Sequence, residues 1–347
     1  ANSRNKDEAT SIIFGTVTDD TGVASLTVAG EVVEFAADGS FQSQTYVPAL
    51  GLAVEIVAYD LKGNKASKTL SLSRKATQAT LTQTYEKLRP SLGKRGKTNN
   101  AALALIVGIE TYEYFPSSPA IYADSDAQYF ADYAHYKLGV PRGNIITAIN
   151  AGAEALDIRK AITKITKQST KDKTDVFVFF AGHGLASDDE TKDVYLLPYD
   201  GDKDYLAETS LTRSEVFKLV ERIKPRSVTV FLDACYSGAT RSEDKVLVAD
   251  KRPVRLKVFE QAVPEGFTVL SAAAANETSM ALEEAKHGLF SYYLMRGMEG
   301  DADTNQDNKI TMNEMRDYVK DKVGRQSDFK QTPQLQGDEN RVLVQFQ

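Results

Sequence analysis

The chain has 347 residues, 42% of them apolar and 26% charged, with a formal net charge of −6. That is an ordinary globular composition, and the length favours two domains. The charge balance shows no long basic face interleaved with aromatics, which speaks against nucleic acid as a partner. The longest strictly apolar run, residues 101–107, is far below the roughly 18 residues needed to cross a bilayer, so no membrane span is expected. A single cysteine, Cys235, excludes an internal disulfide and leaves one thiol to weigh. The first ten residues, ANSRNKDEAT, lack the apolar core of a secretion signal, and the compartment stays open.

Residues 11–73 alternate apolar and polar positions in short runs (IIFGTV, ASLTV, VVEFA, FQSQTYV, AVEIVAYD, KTLSLS) broken by DDTG, DGS and KGN. Such runs are strands joined by tight turns, and six or seven of them predict a small immunoglobulin-like β-sandwich over residues 1–74. Residues 75–98 carry six basic groups and one acidic group with weak patterning. They read as a basic linker.

From residue 99 to 347 continuous apolar runs (ALALIVGI, NIITAIN, DVFVFF, SVTVFLD, FTVLSAA) alternate with helical spacing at 124–138, 154–167 and 211–223. Strands buried on both faces and separated by helices specify an α/β layered sheet with helices on both faces. Reactive groups in such sheets gather at the carboxyl ends of strands. DVFVFF ends in Ala181-Gly182-His183-Gly184, and SVTVFLD ends in Asp233-Ala234-Cys235. A lone cysteine is by default a small buried hydrophobe. Here the thiol and an imidazole each leave a buried strand for a glycine-containing loop, 52 residues apart. Caspases have about 50 residues between the two groups, so Cys235 and His183 are the candidate nucleophile and base. His135, inside an amphipathic helix, and His287, beside Gly288, read as structural.

The motifs VFFAGHG, YLLPYD, FLDACYSG, SAAAANETS and HGLFSYYLMRGMEGDADTNQDNKIT follow in order between residues 102 and 341. In them the chain resembles caspase-like cysteine peptidases of the clan of caspases and gingipains, and is more similar to metacaspases and bacterial caspase homologues than to animal caspases. The resemblance implies that Cys235 attacks the scissile carbonyl and that His183 acts as acid and base. It also implies that the backbone N–H groups of Gly184 and Cys235 hold the oxyanion. Caspases carry Gln two residues before the nucleophile. This chain has Asp233 there, and Asp126 matches the acid that lines the specificity pocket of metacaspases. Two carboxylates in a partly desolvated cleft favour Arg or Lys before the cut and repel Asp. The plainer alternative makes Asp233 a turn cap and Asp126 a solvated helix residue. Ser271 and Asn276 line the pocket by resemblance alone, and Asn276 stands where metacaspases often carry an acid.

Residues 303–314 match an EF-hand loop, with Asp303, Asn305, Asp307, Lys309 and Glu314 as candidate Ca2+ ligands. Asn308 replaces the usual glycine at the sixth position. The acidic run Asp188-Asp189-Glu190 is a second, weaker calcium candidate. Arg241 and Lys245, shortly after the nucleophile, are candidate self-cleavage points, and Lys94-Arg95 is another. Substrates are accordingly expected to be proteins or peptides with basic residues. The competing readings are a caspase-like scaffold that binds partners without turnover, and an acyl transferase on the same dyad.

Overall fold

The computed structural model describes residues 2–5, 10–28, 31–46, 52–72, 85–116, 118–186, 193–222, 224–234, 263–273, 277 and 279–347. The chain divides into two compact units, Ala1–Thr84 and Tyr85–Gln347.

In the first unit, strands Asn2–Asn5, Thr10–Thr16 and Ser40–Tyr46 form one antiparallel sheet. Strands Glu31–Val32, Val23–Val28, Leu52–Asp60 and Lys65–Leu72 form another. Period-two alternation sends Ile13, Leu26, Val28, Phe41, Val54, Ile56 and Leu72 into one shared core.

The second unit is built on a six-stranded sheet. Its strands in chain order are β1 (Leu103–Gly108), β2 (Ile145–Ile149), β3 (Asp175–Ala181), β4 (Ser227–Asp233), β5 (Phe267–Ser271) and β6 (Gln334–Gly337). The spatial order is β6-β5-β4-β3-β1-β2. Only β6 runs antiparallel to its neighbour. Strands that alternate with helices must return to the same end of the sheet, which is why the five leading strands are parallel.

The principal helices are α1 (Ala123–Tyr136), α2 (Ala155–Gln168), α3 (Arg213–Glu221), α4 (Leu289–Arg296) and α5 (Met312–Gln326). Strand pleating divides the core between them. Phe179 and Phe231 turn toward α1, where Phe130 stacks on the first at 4.3 Å and meets the second at 5.4 Å. Val178 and Phe180 turn the other way, onto Ile158 and Ile162 of α2 and Val216 of α3. Burying one such side chain completely contributes about 1.5–3 kcal/mol. Gly108 lets α1 approach the sheet: a Cβ there would lie 2.3 Å from Ala127 Cβ and 2.6 Å from the Ala123 carbonyl oxygen.

The stretch expected to be a linker through residue 98 is, from Tyr85 onward, part of the second unit. Tyr85 packs edge-on against Tyr292 at 5.6 Å, and Leu88 is buried in the main core. Gly96 forms an isolated β-bridge with Phe346, just past the last strand, and the buried Lys137 donates to the Leu92 and Lys94 carbonyls. Single apolar residues at irregular spacing fill holes one at a time, so they leave no period to read. Among the described residues no helix is long and apolar enough to cross a membrane.

Candidate active site

The parallel register of β3 and β4 pairs Ala181 with Asp233. Beyond it, Gly182 N–H donates to the Asp233 carbonyl at 3.2 Å. His183 stands two residues past Ala181, and position 235 two residues past Asp233. Cys235 itself lies outside the described residues, as do Asn276, Asp188, Asp189, Glu190, Arg241 and Lys245.

His183 is 1% exposed and held at three points. Its backbone N–H donates to Tyr112 Oη at 2.6 Å. Its ring stacks on the Tyr112 ring at 4.9 Å, and Phe115 backs Tyr112 at 4.7 Å. Its Nε2 lies 2.8 Å from the Ser118 carbonyl oxygen. A carbonyl accepts only, so Nε2 carries the hydrogen, and in the neutral ring Nδ1 is the basic nitrogen. The Ser118 carbonyl thus fixes the orientation of the His183 ring. A backbone carbonyl leaves no trace in residue identity, which is why the sequence points to no third member. Gly184 opens the short strand Gly184–Ala186, which pairs with Val194–Leu196, and Leu197 N–H donates to the His183 carbonyl.

Both acids singled out in the sequence are inside the protein: Asp126 and Asp233 are each 0% exposed. Asp126, in the first turn of α1, accepts from His287 Nδ1 at 2.8 Å and from Gly288 N–H at 2.9 Å. Asp233, the last residue of β4, accepts from the hydroxyls of Ser279 and Ser291, the latter at 2.5 Å. This burial excludes a solvated helix residue at Asp126. Ser271 ends β5 with its hydroxyl 3.5 Å from the carbonyls of Ala273 and Gln334. His287 is structural in the sense expected, but what it supports is a candidate site residue.

The loop 303–314 closes on itself. Asp303 accepts the N–H groups of Asp307 and Asn308, Asn305 accepts that of Asp307, and Asp307 accepts that of Lys309. Asn308 takes the left-handed conformation, φ 65°, that the sixth position of such a loop requires. Glu314 forms a capping box with Thr311 at the start of α5. Among the described residues no three His, Cys, Asp or Glu side chains converge as a metal site. The Lys94-Arg95 peptide, read above as a cleavage point, is strapped in place. The Arg95 guanidinium lies 4.9 Å from the Tyr136 ring, the Arg95 carbonyl accepts from Gln347 N–H, and Lys94 Nζ donates to Asn308. A protease takes an extended, detached strand, so this strap must open before that bond is cut.

With the geometry in place, the family question has a direct answer: residues 101–344 match the model described as Caspase domain. The chain belongs to the caspase domain family. Its second unit is therefore a caspase-like α/β peptidase domain, and the layered sheet expected from the apolar runs is the one found. Caspase-1 from Spodoptera frugiperda is 12% identical over 76% of this chain and 97% of its own, with a TM-score of 0.46. A structure of pro-sf-caspase-1 is 12% identical over 74% and 95%, with a TM-score of 0.47. No curated protein is similar enough to count as a relative.

Proposed function

We propose that the caspase domain of this chain is a cysteine endopeptidase that cuts after Arg or Lys. Two observations support the dyad. The register brings the chain just ahead of position 235 beside the chain just ahead of His183, and the Ser118 carbonyl leaves His183 Nδ1 as the base. His183 takes the thiol proton of Cys235, and the thiolate attacks the scissile carbonyl, forming the S–C bond as the C=O π pair moves onto oxygen. Collapse of the adduct breaks the C–N bond, and His183 gives its proton to the departing amine. His183 then takes a proton from the water that attacks the thioester, the S–C bond breaks to release the carboxylic acid product, and His183 returns the proton to the sulfur. Backbone N–H groups of Gly184 and Cys235 are assigned to the oxyanion.

The single observation that carries the specificity is the pair of fully buried carboxylates, Asp126 and Asp233. A guanidinium or ammonium entering beside them is attracted with little screening, and a substrate carboxylate is repelled. The test is a set of fluorogenic peptides that differ only before the cut, read against Cys235→Ala as blank. Turnover after Arg or Lys with none after Asp is expected, and cleavage after Asp alone overturns the proposal.

Calcium is assigned to the 303–314 loop, with Asp303, Asn305, Asp307, the Lys309 carbonyl and Glu314 as the holding groups. These are hard oxygen donors, and the φ of Asn308 suits the loop. The ion would supply a hard cross-link between the loop and the first turn of α5. Self-cleavage is assigned to Arg241 or Lys245, and incubation beside Cys235→Ala with mass spectrometry of the fragments decides it. The N-terminal unit is assigned an immunoglobulin-like sandwich on its two antiparallel sheets.

A further inference from the structure

Asp126 and Asp233 come from different elements, a helix start and a strand end, yet both accept hydrogen bonds from the short segment His287–Ser291. His287 Nδ1 and Gly288 N–H bind Asp126, and Ser291 Oγ binds Asp233. Between them α4 begins, with Gly288 as its N-cap. One rigid helix start therefore sets the position of two acids that lie 107 residues apart in the chain. We propose that the turn His287–Ser291 is the positioning element of the specificity pocket, fixing the orientation of both carboxylates. The inference rests on the basic-residue reading of that pocket given above.

The surroundings are built for rigidity. The hairpin of Ala281–Leu282 and His287–Gly288 is fastened to the start of α1 a second time, through Tyr122 Oη, which lies 2.5 Å from Glu283 and 3.1 Å from Lys286 Nζ. Tyr129 meets the His287 ring edge-on at 4.8 Å. On the Asp233 side, the buried Gln331 accepts from Met280 N–H at 2.9 Å and donates to the Ala272 carbonyl at 3.0 Å. It thereby fixes the chain on both sides of Ser279. Ser279, Ser291 and Gln331 are all fully buried. A buried carboxylate stays ionised only while donors replace the water it has lost. With Ser291 or His287 removed, the carboxylate loses a donor and turns away, and its attraction for a cation goes while the rest of the cleft stays.

A peptide pair with Arg or its neutral isostere citrulline before the cut reads that attraction directly. Ser291→Ala and His287→Leu are expected to lower kcat/KM for the Arg peptide about tenfold or more through KM, the usual effect of losing a hydrogen bond to a charged group. Citrulline turnover stays near its wild-type level. Ser291→Thr and His287→Asn, which keep a donor in place, restore the Arg preference. Thermal melts and the rate of Cys235 alkylation report that fold and dyad are intact. Variants that lower Arg and citrulline turnover in proportion, or change neither, overturn the inference and leave the pocket reading standing. A wild-type enzyme that does not prefer Arg or Lys over citrulline overturns the pocket reading itself.

Discussion

Tyr112→Phe tests how the base is held. Tyr112 is 1% exposed, and its hydroxyl accepts the His183 backbone N–H at 2.6 Å while its ring stacks on the imidazole. Phenylalanine keeps the stack on both His183 and Phe115 but deletes the acceptor. Removing the partner of a buried donor costs about 1–3 kcal/mol. Expressed wholly in the position of His183, that is roughly a 5- to 150-fold loss of rate at about 1.4 kcal/mol per decade. The loss should fall on kcat, because the base acts in the chemical step, with KM little changed. Gly182→Ala is the companion variant, since a Cβ there would stand 2.8 Å from the same hydroxyl. Initial rates on an Arg peptide, with thermal melts as control, measure both. A Tyr112→Phe enzyme with wild-type kcat refutes the reasoning.

Three further outcomes follow from the fold and the loop. Asp175, at the start of β3, is pushed up by burial, but hydrogen bonds from Arg226, Ser227 and Asn99 outweigh this and hold its carboxyl below the usual carboxylate range. Its contribution is present in full above an ordinary carboxylate pKa of about 4 and is lost as pH falls through the lowered folded value. Urea midpoints of wild type and Asp175→Asn should therefore differ clearly at neutral pH and converge in acid, and a constant gap would contradict this. Phe130→Ala removes a ring packed against both Phe179 and Phe231, and should cost about 3–5 kcal/mol in chemical denaturation. Calorimetry should show calcium binding to wild type that Glu314→Gln weakens at least tenfold, as loss of a bidentate carboxylate requires; no heat at millimolar calcium removes the ion from the account.

Part of the site is legible in the sequence and part is not, for identifiable reasons. The apolar runs ending in AGHG and DAC mark two buried, neighbouring strands, with His183 and position 235 each two residues beyond the paired strand ends. Residue type and strand periodicity are local, and they survive in the sequence. The pairing of Ala181 with Asp233 is not local, and spacing alone does not give it. The Ser118 carbonyl is invisible in principle, because every residue has one. Asp126 and Asp233 are recognisable as acids, yet their complete burial depends on α4 closing over them, and nothing near either residue reports that contact. The weak pattern of residues 85–98 hides a segment anchored by Leu88 and Gly96. Asn308 shows the opposite case, in which a departure from the expected glycine still takes the φ that the loop requires.

The claim on which the account stands is that Cys235 and His183 act as a pair, and the sole cysteine makes this directly measurable. Alkylation of Cys235 by iodoacetamide should be followed across pH in wild type and in His183→Ala. An imidazole beside the sulfur stabilises the thiolate, so the wild-type protein should react at least tenfold faster than the variant near about pH 6. Identical alkylation profiles in the two proteins would contradict the pairing and the peptidase mechanism built on it.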